Sequence, residues 1–135
     1  MIKALVIDDS PLVRRIVRLH LAKFGCTVVR EAESAAQALR VFEEIAPNLI
    51  TLDIMMPALE GVTTMRAFQA MLAAKPDLVA VVVSSVPFYK VRDTYLKAGA
   101  FAYIVKPLTQ RSLEPVRQEL LRLFGQPDRG LARTD

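Results

Sequence analysis

The stretch Leu78-Val79-Ala80-Val81-Val82-Val83 decides the fold, because six apolar residues follow one another with no polar residue between them. An alternating pattern would indicate a strand with one face in solvent, whereas a continuous apolar run of this length indicates a strand covered on both faces. Leu5-Val6-Ile7 repeats this feature near the start of the chain. Strands of this kind are typical of parallel sheets with helices packed above and below.

Five apolar, β-branched stretches alternate along the chain with five helical patterns. This rhythm predicts a doubly wound α/β fold, in which helices cover both faces of a parallel sheet. The predicted strands are Ile2–Ile7, Thr27–Arg30, Asn48–Leu52, Leu78–Val83 and Phe101–Val105. With the flavodoxin-like strand order 2-1-3-4-5, the first and third strands are neighbours and the second is an outer edge.

Several predicted helices carry boundary signals. Ser10-Pro11 offers an N-cap followed by proline at the first helical position, and Ser34 with Gln37 predicts a capping box. The last helical pattern, Thr109–Phe124, contains Pro115, and proline removes a hydrogen bond from a helix interior. We therefore expect this helix to begin at Ser112, which would place the proline in the first turn.

Length and composition bound the class of protein. The 135 residues suit one domain, which we place at residues 1–125, and we expect residues 126–135 to form a disordered tail. Hydrophobic residues make up 53% of the chain, but no run approaches the roughly 18 apolar residues of a membrane span. The amino end lacks the pattern of a secretory signal, so we expect a cytoplasmic protein without membrane insertion.

The formal charge of +4 comes from 18 basic and 14 acidic residues that are interspersed along the chain. Without a block of basic residues or a DNA-reading motif, we expect no direct contact with nucleic acid. Arg14, Arg15 and Arg18 cluster on the first predicted helix, where a solvated helix face is the favoured interpretation.

Polar side chains stand where four of the five predicted strands end. Asp8 and Asp9 follow the first strand, Asp53 the third, Ser84 the fourth and Lys106 the fifth. In a doubly wound sheet, ligands bind outside the carboxyl ends of the strands, at the crevice where the strand order reverses. The order 2-1-3-4-5 would bring all five residues to that crevice.

The residue types predict a particular chemistry. Three carboxylates brought together repel one another, so they need a cation or must hold protons, and hard oxygen ligands with room for water suit Mg²⁺. Lys106 offers a charge and Ser84 a hydroxyl group to the oxygens of a phosphoryl group. Asp53 would be the nucleophile, because an aspartyl carboxylate can form an acyl phosphate.

Each of these residues also has an ordinary structural explanation. Asp8 or Asp9 could be a turn residue ahead of a helix, Ser84 a strand-end residue and Lys106-Pro107 a plain turn. The presence of all five residues at one edge of the sheet, the rim formed by the carboxyl ends of the strands, favours the functional interpretation.

Four motifs resemble those of bacterial response-regulator receiver domains, in particular the stand-alone chemotaxis-type (CheY-like) regulators of two-component systems. The motifs are Val6-Ile7-Asp8-Asp9-Ser10, Leu52-Asp53-Ile54-Met55-Met56-Pro57 with Gly61, Val83-Ser84-Ser85 and Tyr103-Ile104-Val105-Lys106-Pro107. The resemblance covers the chain from Ile2 to about Phe124. It implies a signalling switch that accepts a phosphoryl group, and not an enzyme in the usual sense.

The resemblance implies a role for each matching position. Asp53 would be the phosphorylated residue. Asp9 and Asp53 would bind Mg²⁺ directly, together with the main-chain carbonyl of Met55, and Asp8 would act mostly through water. Lys106 would pair with the phosphoryl group, and the Lys106-Pro107 peptide bond would be cis.

The same resemblance implies how the switch would work. The Ser84 hydroxyl would move toward the phosphoryl group and carry the following loop with it, which would open space for Tyr103 to turn inward. Tyr103 also has an ordinary explanation as a strand aromatic. The phosphoryl group would come from a sensor histidine kinase or a phosphotransfer protein, because His20, the lone histidine, is predicted to be remote from the crevice.

The implied output surface comprises the fourth helix, the fifth strand and the fifth helix. It would display Tyr89, Lys90, Lys97 and Arg117 to an output protein of acidic character. The fifth strand lacks the acidic residue that related transcription-factor receivers use in a dimer face. We therefore expect a monomer, and leave open a dimer linked to phosphorylation.

Two positions depart from the family pattern. Met55 lies two residues after Asp53, and Val86 two residues after Ser84, where many receivers carry polar side chains near the path of the hydrolytic water. Two apolar side chains there predict slow loss of the phosphoryl group.

Three other functions compete with this one. A phosphatase with an aspartyl nucleophile would need a second aspartate two residues after Asp8, where this chain has Ser10. The chain could instead be the receiver segment of a longer DNA-binding regulator. It could also keep the receiver site for binding alone, although all five positions hold competent residues.

Overall fold

The computed structural model describes residues 2–23 and 25–125, so the predicted tail at 126–135 lies outside the described residues. Five strands and five helices alternate, with a short 3₁₀ turn at Leu59–Gly61 between β3 and α3. The elements are β1 (Lys3–Ile7), α1 (Pro11–Lys23), β2 (Val28–Ala32), α2 (Ala35–Ile45), β3 (Leu49–Leu52), α3 (Thr64–Ala74), β4 (Val79–Ser84), α4 (Tyr89–Lys97), β5 (Ala102–Val105) and α5 (Gln110–Phe124).

The five strands form one parallel sheet in the order β2-β1-β3-β4-β5, which confirms the predicted topology. The register aligns the carboxyl ends of the central strands. Ile7 lies opposite both Ala32 of β2 and Leu52 of β3. The residues that follow Ile7 and Leu52 are therefore brought side by side at the same edge of the sheet.

Helices cover both faces of the sheet, as the continuous apolar strands predicted. Along β1, Leu5 and Ile7 face a core with Phe68 of α3, whereas Ala4 and Val6 face a core with α1 and α5. All the residues of β3 and β4 are buried. These two strands form the buried centre of the sheet, and the site lies at the carboxyl edge of the sheet, where β1, β3, β4 and β5 end.

The prediction that the last helix begins at Ser112 is wrong. The helix begins at Gln110, and Thr109 is its N-cap. The Thr109 and Ser112 side chains each accept a hydrogen bond from the other's main-chain N–H, at 3.0 and 2.9 Å. This capping box fixes the start of the helix, and Pro115 is accommodated inside it at an exposed position.

The other helix starts agree with the sequence, with one exception. Val13 N–H donates to Ser10 Oγ at 3.3 Å, and Pro11 is the first helical residue of α1. Ser34 accepts from the Gln37 N–H at 3.1 Å, but the Gln37 side chain accepts from the N–H of Glu33 at 2.8 Å. The predicted capping box is therefore only half formed, because the return bond reaches one residue too early.

No helix within residues 2–23 and 25–125 is both long and apolar enough to cross a membrane.

Candidate functional site

Three carboxylates meet at the carboxyl edge of the sheet, on the turns that follow β1 and β3. Asp8, Asp9 and Asp53 each place an oxygen within 4.8 Å of the others. Asp8 and Asp53 are 3% and 5% exposed, whereas Asp9 is exposed to solvent. The strand register thus brings together residues 45 positions apart in the sequence, as predicted.

Asp8 is held at several of its atoms. Its main-chain N–H donates to the Ala32 carbonyl at 3.0 Å, which extends the pairing of β1 with β2 by one residue. Its Oδ1 accepts from the Ser10 N–H at 2.8 Å. Its Oδ2 pairs with the Lys106 ammonium at 3.0 Å. Asp8 is therefore a fixed part of the rim.

Lys106 reaches the carboxylates from the end of β5. Its main-chain N–H donates to the Ser84 carbonyl at 2.8 Å, and the Lys106-Pro107 peptide bond is cis, as expected. Its ammonium lies 3.9 Å from Asp53 Oδ2, farther than from Asp8. The lysine supplies one positive charge against three carboxylates, so the site keeps an excess of negative charge that a cation would neutralise.

The environment of Asp53 makes its ionisation costly. Burial raises the pKa of this carboxyl above 3.8, and the charges of Asp8 and Asp9 raise it further. The Met55 N–H, which donates to Asp53 Oδ1 at 3.1 Å, and the Lys106 charge lower the pKa, but each by less than burial raises it, and the pKa stays raised. A poorly compensated, basic carboxylate is suited to act as a nucleophile once it is ionised.

Ser84 and Tyr103 both contact the main chain of Val86. Ser84 is fully buried, and its Oγ accepts from the Val86 N–H at 3.1 Å. The Tyr103 ring is half-buried, and its hydroxyl donates to the Val86 carbonyl at 2.5 Å. The two residues assigned to the switch therefore bind opposite sides of one residue in the loop between β4 and α4.

The two apolar residues near the predicted water path differ in exposure. The Met55 residue is 61% exposed beside the acidic cluster, and Val86 is half-buried in its loop.

Arg14 corrects the prediction of a solvated arginine face. Arg15 and Arg18 are exposed, but only 13% of the Arg14 side chain is. Its Nη1 donates to the main-chain carbonyl of Asp8 at 2.6 Å. The signal was present in the helical spacing, because Arg14 shares a face of α1 with the buried residues Val17 and Leu21.

The donor set fits a hard divalent cation. Carboxylate oxygens are the ligands that Mg²⁺ prefers, and the exposed Asp9 leaves one side open to water, which Mg²⁺ keeps in its coordination shell. The unbalanced charge supplies the electrostatic attraction. Asp8, Asp9 and Asp53 thus form an acidic triad able to accept such an ion.

Comparison with known proteins places the chain in a family. The response regulator receiver domain family matches residues 4–116. The chain is 32% identical over 119 residues to the chemotaxis protein CheY of Bacillus subtilis, covering 87% of this chain and 97% of that protein. It is 34% identical over 125 residues to the probable transcriptional regulator ycf27 of Cyanophora paradoxa, covering 93% of this chain. The chain spans about half the length of the ycf27 relatives.

Solved structures agree with the fold. The receiver domain of NtrX from Brucella abortus superposes with a TM-score of 0.76 at 27% identity, covering 90% of this chain and 99% of that one. Chemotaxis protein CheY4 of Vibrio cholerae gives 0.75 at 23% identity, with coverage of 90% and 99%. With its parallel sheet, its acidic triad and a family match over most of its length, the chain belongs to the response regulator receiver domains.

Proposed function

We propose that this chain is the phosphoacceptor switch of a two-component phosphorelay, with Asp53 as the phosphorylated residue. The observation that carries the proposal is the convergence of the acidic triad with Lys106. A buried carboxylate of raised pKa lies beside two further carboxylates and one ammonium group. Ser84 ends the adjacent strand β4.

The transfer step would move a phosphoryl group from a phosphohistidine of a sensor histidine kinase or phosphotransfer protein. A new P–O bond forms to Asp53 as the P–N bond breaks, and the imidazole then takes up a proton. Asp53 Oδ1 is held by the Met55 N–H, so we assign the attack to Oδ2, which faces Lys106. We do not assign His20 as the donor, because among the described residues its ring nitrogen contacts the Gln110 side chain at 2.8 Å and none of the site carboxylates.

Mg²⁺ would be held by Asp9, Asp53 and the Met55 carbonyl, with Asp8 acting through water. When bound, the ion would neutralise charge on the phosphoryl oxygens during transfer. Lys106 would leave its position near Asp8 and pair with the new phosphoryl group. The Ser84 oxygen accepts from the Val86 N–H, which leaves the hydroxyl proton available to donate to the same phosphoryl group.

The output would be read by another protein at α4, β5 and α5. Tyr89 is 70% exposed and Lys90 is exposed. Lys97 and Arg117, however, already pair with Asp93 at 2.9 Å and Glu114 at 2.7 Å. The expected preference for an acidic partner therefore rests on fewer free charges than the sequence indicated, and the exposed aromatic ring of Tyr89 becomes the better anchor.

The test is the intact mass of the chain after incubation with a small acyl-phosphate donor and Mg²⁺. We expect one phosphoryl increment in the native chain, none without Mg²⁺ and none in Asp53→Asn. The exposed Asp77 offers a matched control, because Asp77→Asn should be phosphorylated like the native chain. A native chain that gains no phosphoryl group would favour a receiver site kept for binding alone.

A second candidate is the receiver segment of a longer DNA-binding regulator. The observation that favours it is the half-length match to the ycf27 relatives, which are described as probable transcriptional regulators. The B. subtilis CheY match, in contrast, spans nearly the whole of that protein. Immunodetection of the natural gene product distinguishes the two, since a product far larger than 15.0 kDa would establish the longer form. Location in the cytoplasm remains our expectation for either form.

A further inference from the structure

We propose that Arg14 is a positioning residue for the metal site, which it serves by fixing the peptide group between Asp8 and Asp9. The inference rests on the proposed function, in which Asp9 is a direct Mg²⁺ ligand. Arg14 touches none of the three carboxylates through a hydrogen bond in the described part of the chain. It acts on the backbone that carries two of them.

The first step of the argument concerns Asp9. Its side chain is exposed and takes no part in the hydrogen bonds and ion pairs formed among residues 2–23 and 25–125. Asp8, in contrast, is tied down through its N–H and both carboxylate oxygens. The direction of the Asp9 carboxylate therefore depends on the backbone that leads into it.

The second step is the contact itself. Arg14 Nη1 donates to the Asp8 carbonyl at 2.6 Å, and that carbonyl belongs to the peptide group joining Asp8 to Asp9. Because a peptide group is planar, a hydrogen bond to its oxygen restrains its rotation and so the position of the Asp9 Cα. The guanidinium reaches back from the first turn of α1, where the acidic turn and the helix meet.

The third step is that the guanidinium is itself held in place. Arg14 Nε donates to Glu31 Oε1 at 2.9 Å, and Glu31 lies on β2 next to the turn. The Glu31 carboxylate also offsets the charge of Arg14. Arg14 therefore repels an incoming cation less than an unpaired arginine would. Arg14 thus acts through geometry, because α1 carries its main chain and Glu31 holds its guanidinium while Nη1 binds the Asp8 carbonyl.

Arg18 provides the matched control. It lies one turn farther along α1 and donates to the other oxygen of the same carboxylate, Glu31 Oε2, at 3.1 Å. Its second acceptor is the Val29 carbonyl, which lies on β2 and not on the acidic turn. Removing Arg18 takes away a similar ion pair but leaves the Asp8 carbonyl bound.

The experiment measures the Mg²⁺ dissociation constant of the full chain by titration calorimetry, at a temperature where circular dichroism shows every variant folded. We expect Arg14→Met to raise the constant about tenfold, the lower range for residues that orient metal ligands. Arg18→Met should stay within about twofold, as is usual for an exposed ion pair. The dissociation constant of Arg14→Lys should lie between these two, because an ammonium group cannot reproduce the planar guanidinium that donates to Glu31 and to the Asp8 carbonyl together.

A second readout separates positioning from loss of the fold. The Mg²⁺ concentration that gives half-maximal phosphorylation of Asp53 should rise in Arg14→Met by the same factor as the dissociation constant. The phosphorylation level at saturating Mg²⁺ should match the native level. A general structural defect would lower that final level and the melting temperature in chelator together.

The outcomes are distinct. Native-like Mg²⁺ affinity in Arg14→Met, or an equal loss in Arg18→Met, would overturn the inference and leave the proposed function standing. Should Arg14→Met not fold, native affinity in Arg14→Lys would have the same meaning. A native chain that binds no Mg²⁺ at millimolar concentrations would overturn both the inference and the proposed function.

Discussion

The Lys106 ammonium pairs with Asp8 at 3.0 Å and stays 3.9 Å from Asp53. Asp8 therefore holds the Lys106 ammonium more tightly than Asp53, the proposed phosphoacceptor, does. This arrangement leaves the Asp53 carboxylate poorly compensated. Under the proposed function this makes Asp53 a basic nucleophile, and for the folded chain it is a cost to stability.

That cost predicts a pH-dependent gain in stability for Asp53→Asn. Since the pKa of Asp53 in the folded chain is raised above 3.8, the folded chain holds the proton longer than the unfolded chain as the pH rises. Stability therefore falls as the pH rises through the folded pKa, and below about pH 3.8 the penalty is absent. Asparagine removes the penalty while keeping an oxygen for the Met55 N–H.

We expect urea unfolding in chelator at pH 7 to show Asp53→Asn more stable by about 1 kcal/mol, the usual size of a single-site effect. The difference should shrink as the pH approaches the ordinary carboxyl range. Added Mg²⁺ should also reduce the difference in free energy of unfolding, because the ion stabilises the native chain more than the variant. An Asp53→Asn chain less stable than the native chain at pH 7 would show that Asp53 is well compensated.

Under the proposed function, the Met55 side chain predicts a long-lived phosphoryl group on Asp53. Its exposed side chain beside Asp53 gives the hydrolytic water no hydrogen-bonding partner, so we expect a lifetime well beyond seconds. Met55→Asn should shorten the lifetime about tenfold, which corresponds to about 1.4 kcal/mol in the barrier. The measurement is decay of the phosphorylated mass after removal of the donor. Leu59→Asn, at another exposed apolar position after β3, should leave the lifetime unchanged.

The Tyr103 hydroxyl predicts a measurable restraint on the loop after β4. Tyr103→Phe removes the donor to the Val86 carbonyl and should lower the free energy of unfolding by about 1 kcal/mol. Hydrogen exchange of the Val86 amide should become faster, because the Val86 carbonyl loses its hydrogen bond and the loop is held less firmly. Tyr89→Phe, at a ring that is 70% exposed, should change neither quantity. Equal exchange in both variants would mean that the hydroxyl does not restrain the loop.

Pro115 predicts a stabilising substitution. It occupies the sixth position of α5, where its missing N–H leaves the Arg111 carbonyl without the usual helical partner. Pro115→Ala should raise the free energy of unfolding by about 1 to 3 kcal/mol, because the site is exposed and no cavity opens. Thermal unfolding measures the change. Pro76→Ala, in the turn after α3, should bring no such gain.

The sequence predicted the topology because its strongest signals are local and repeated. Continuous apolar strands, alternating with helical patterns, leave few arrangements that cover both faces of each strand. The convergence of Asp8, Asp9 and Asp53 followed from that topology, since each stands at a strand end. The roles given to Met55 and Tyr103 came from the family resemblance and stay predictions. Strand bounds were less accurate at β2, which was predicted as Thr27–Arg30 and is Val28–Ala32. The charged residue Glu31 was predicted to lie beyond the strand, but an edge strand can include such a residue.

The errors arose where one local signal outweighed another or where tertiary contacts decide. At α5, the reciprocal hydrogen bonds of Thr109 and Ser112 stabilise a helix start ahead of Pro115 despite the hydrogen bond that the proline removes. The sequence alone does not show which of the two effects is larger. The contact of Arg14 with the Asp8 carbonyl contradicts the predicted solvated face, whereas the pairing of Lys106 with Asp8 was not predicted at all. Both depend on distances of a few ångströms between elements. Residue types and spacing do not resolve such distances.

The separation of Asp8 and Lys106 by 98 residues has a consequence for biosynthesis. A chain emerging from the ribosome presents all three aspartates of the site long before β5 and the lysine that follows it. Until then, the carboxylates lack the Lys106 charge and β4 lacks its pairing with β5, so the site is incomplete. Under the proposed function, an unfinished or truncated copy would remain silent, and only completed molecules would enter the signalling pool.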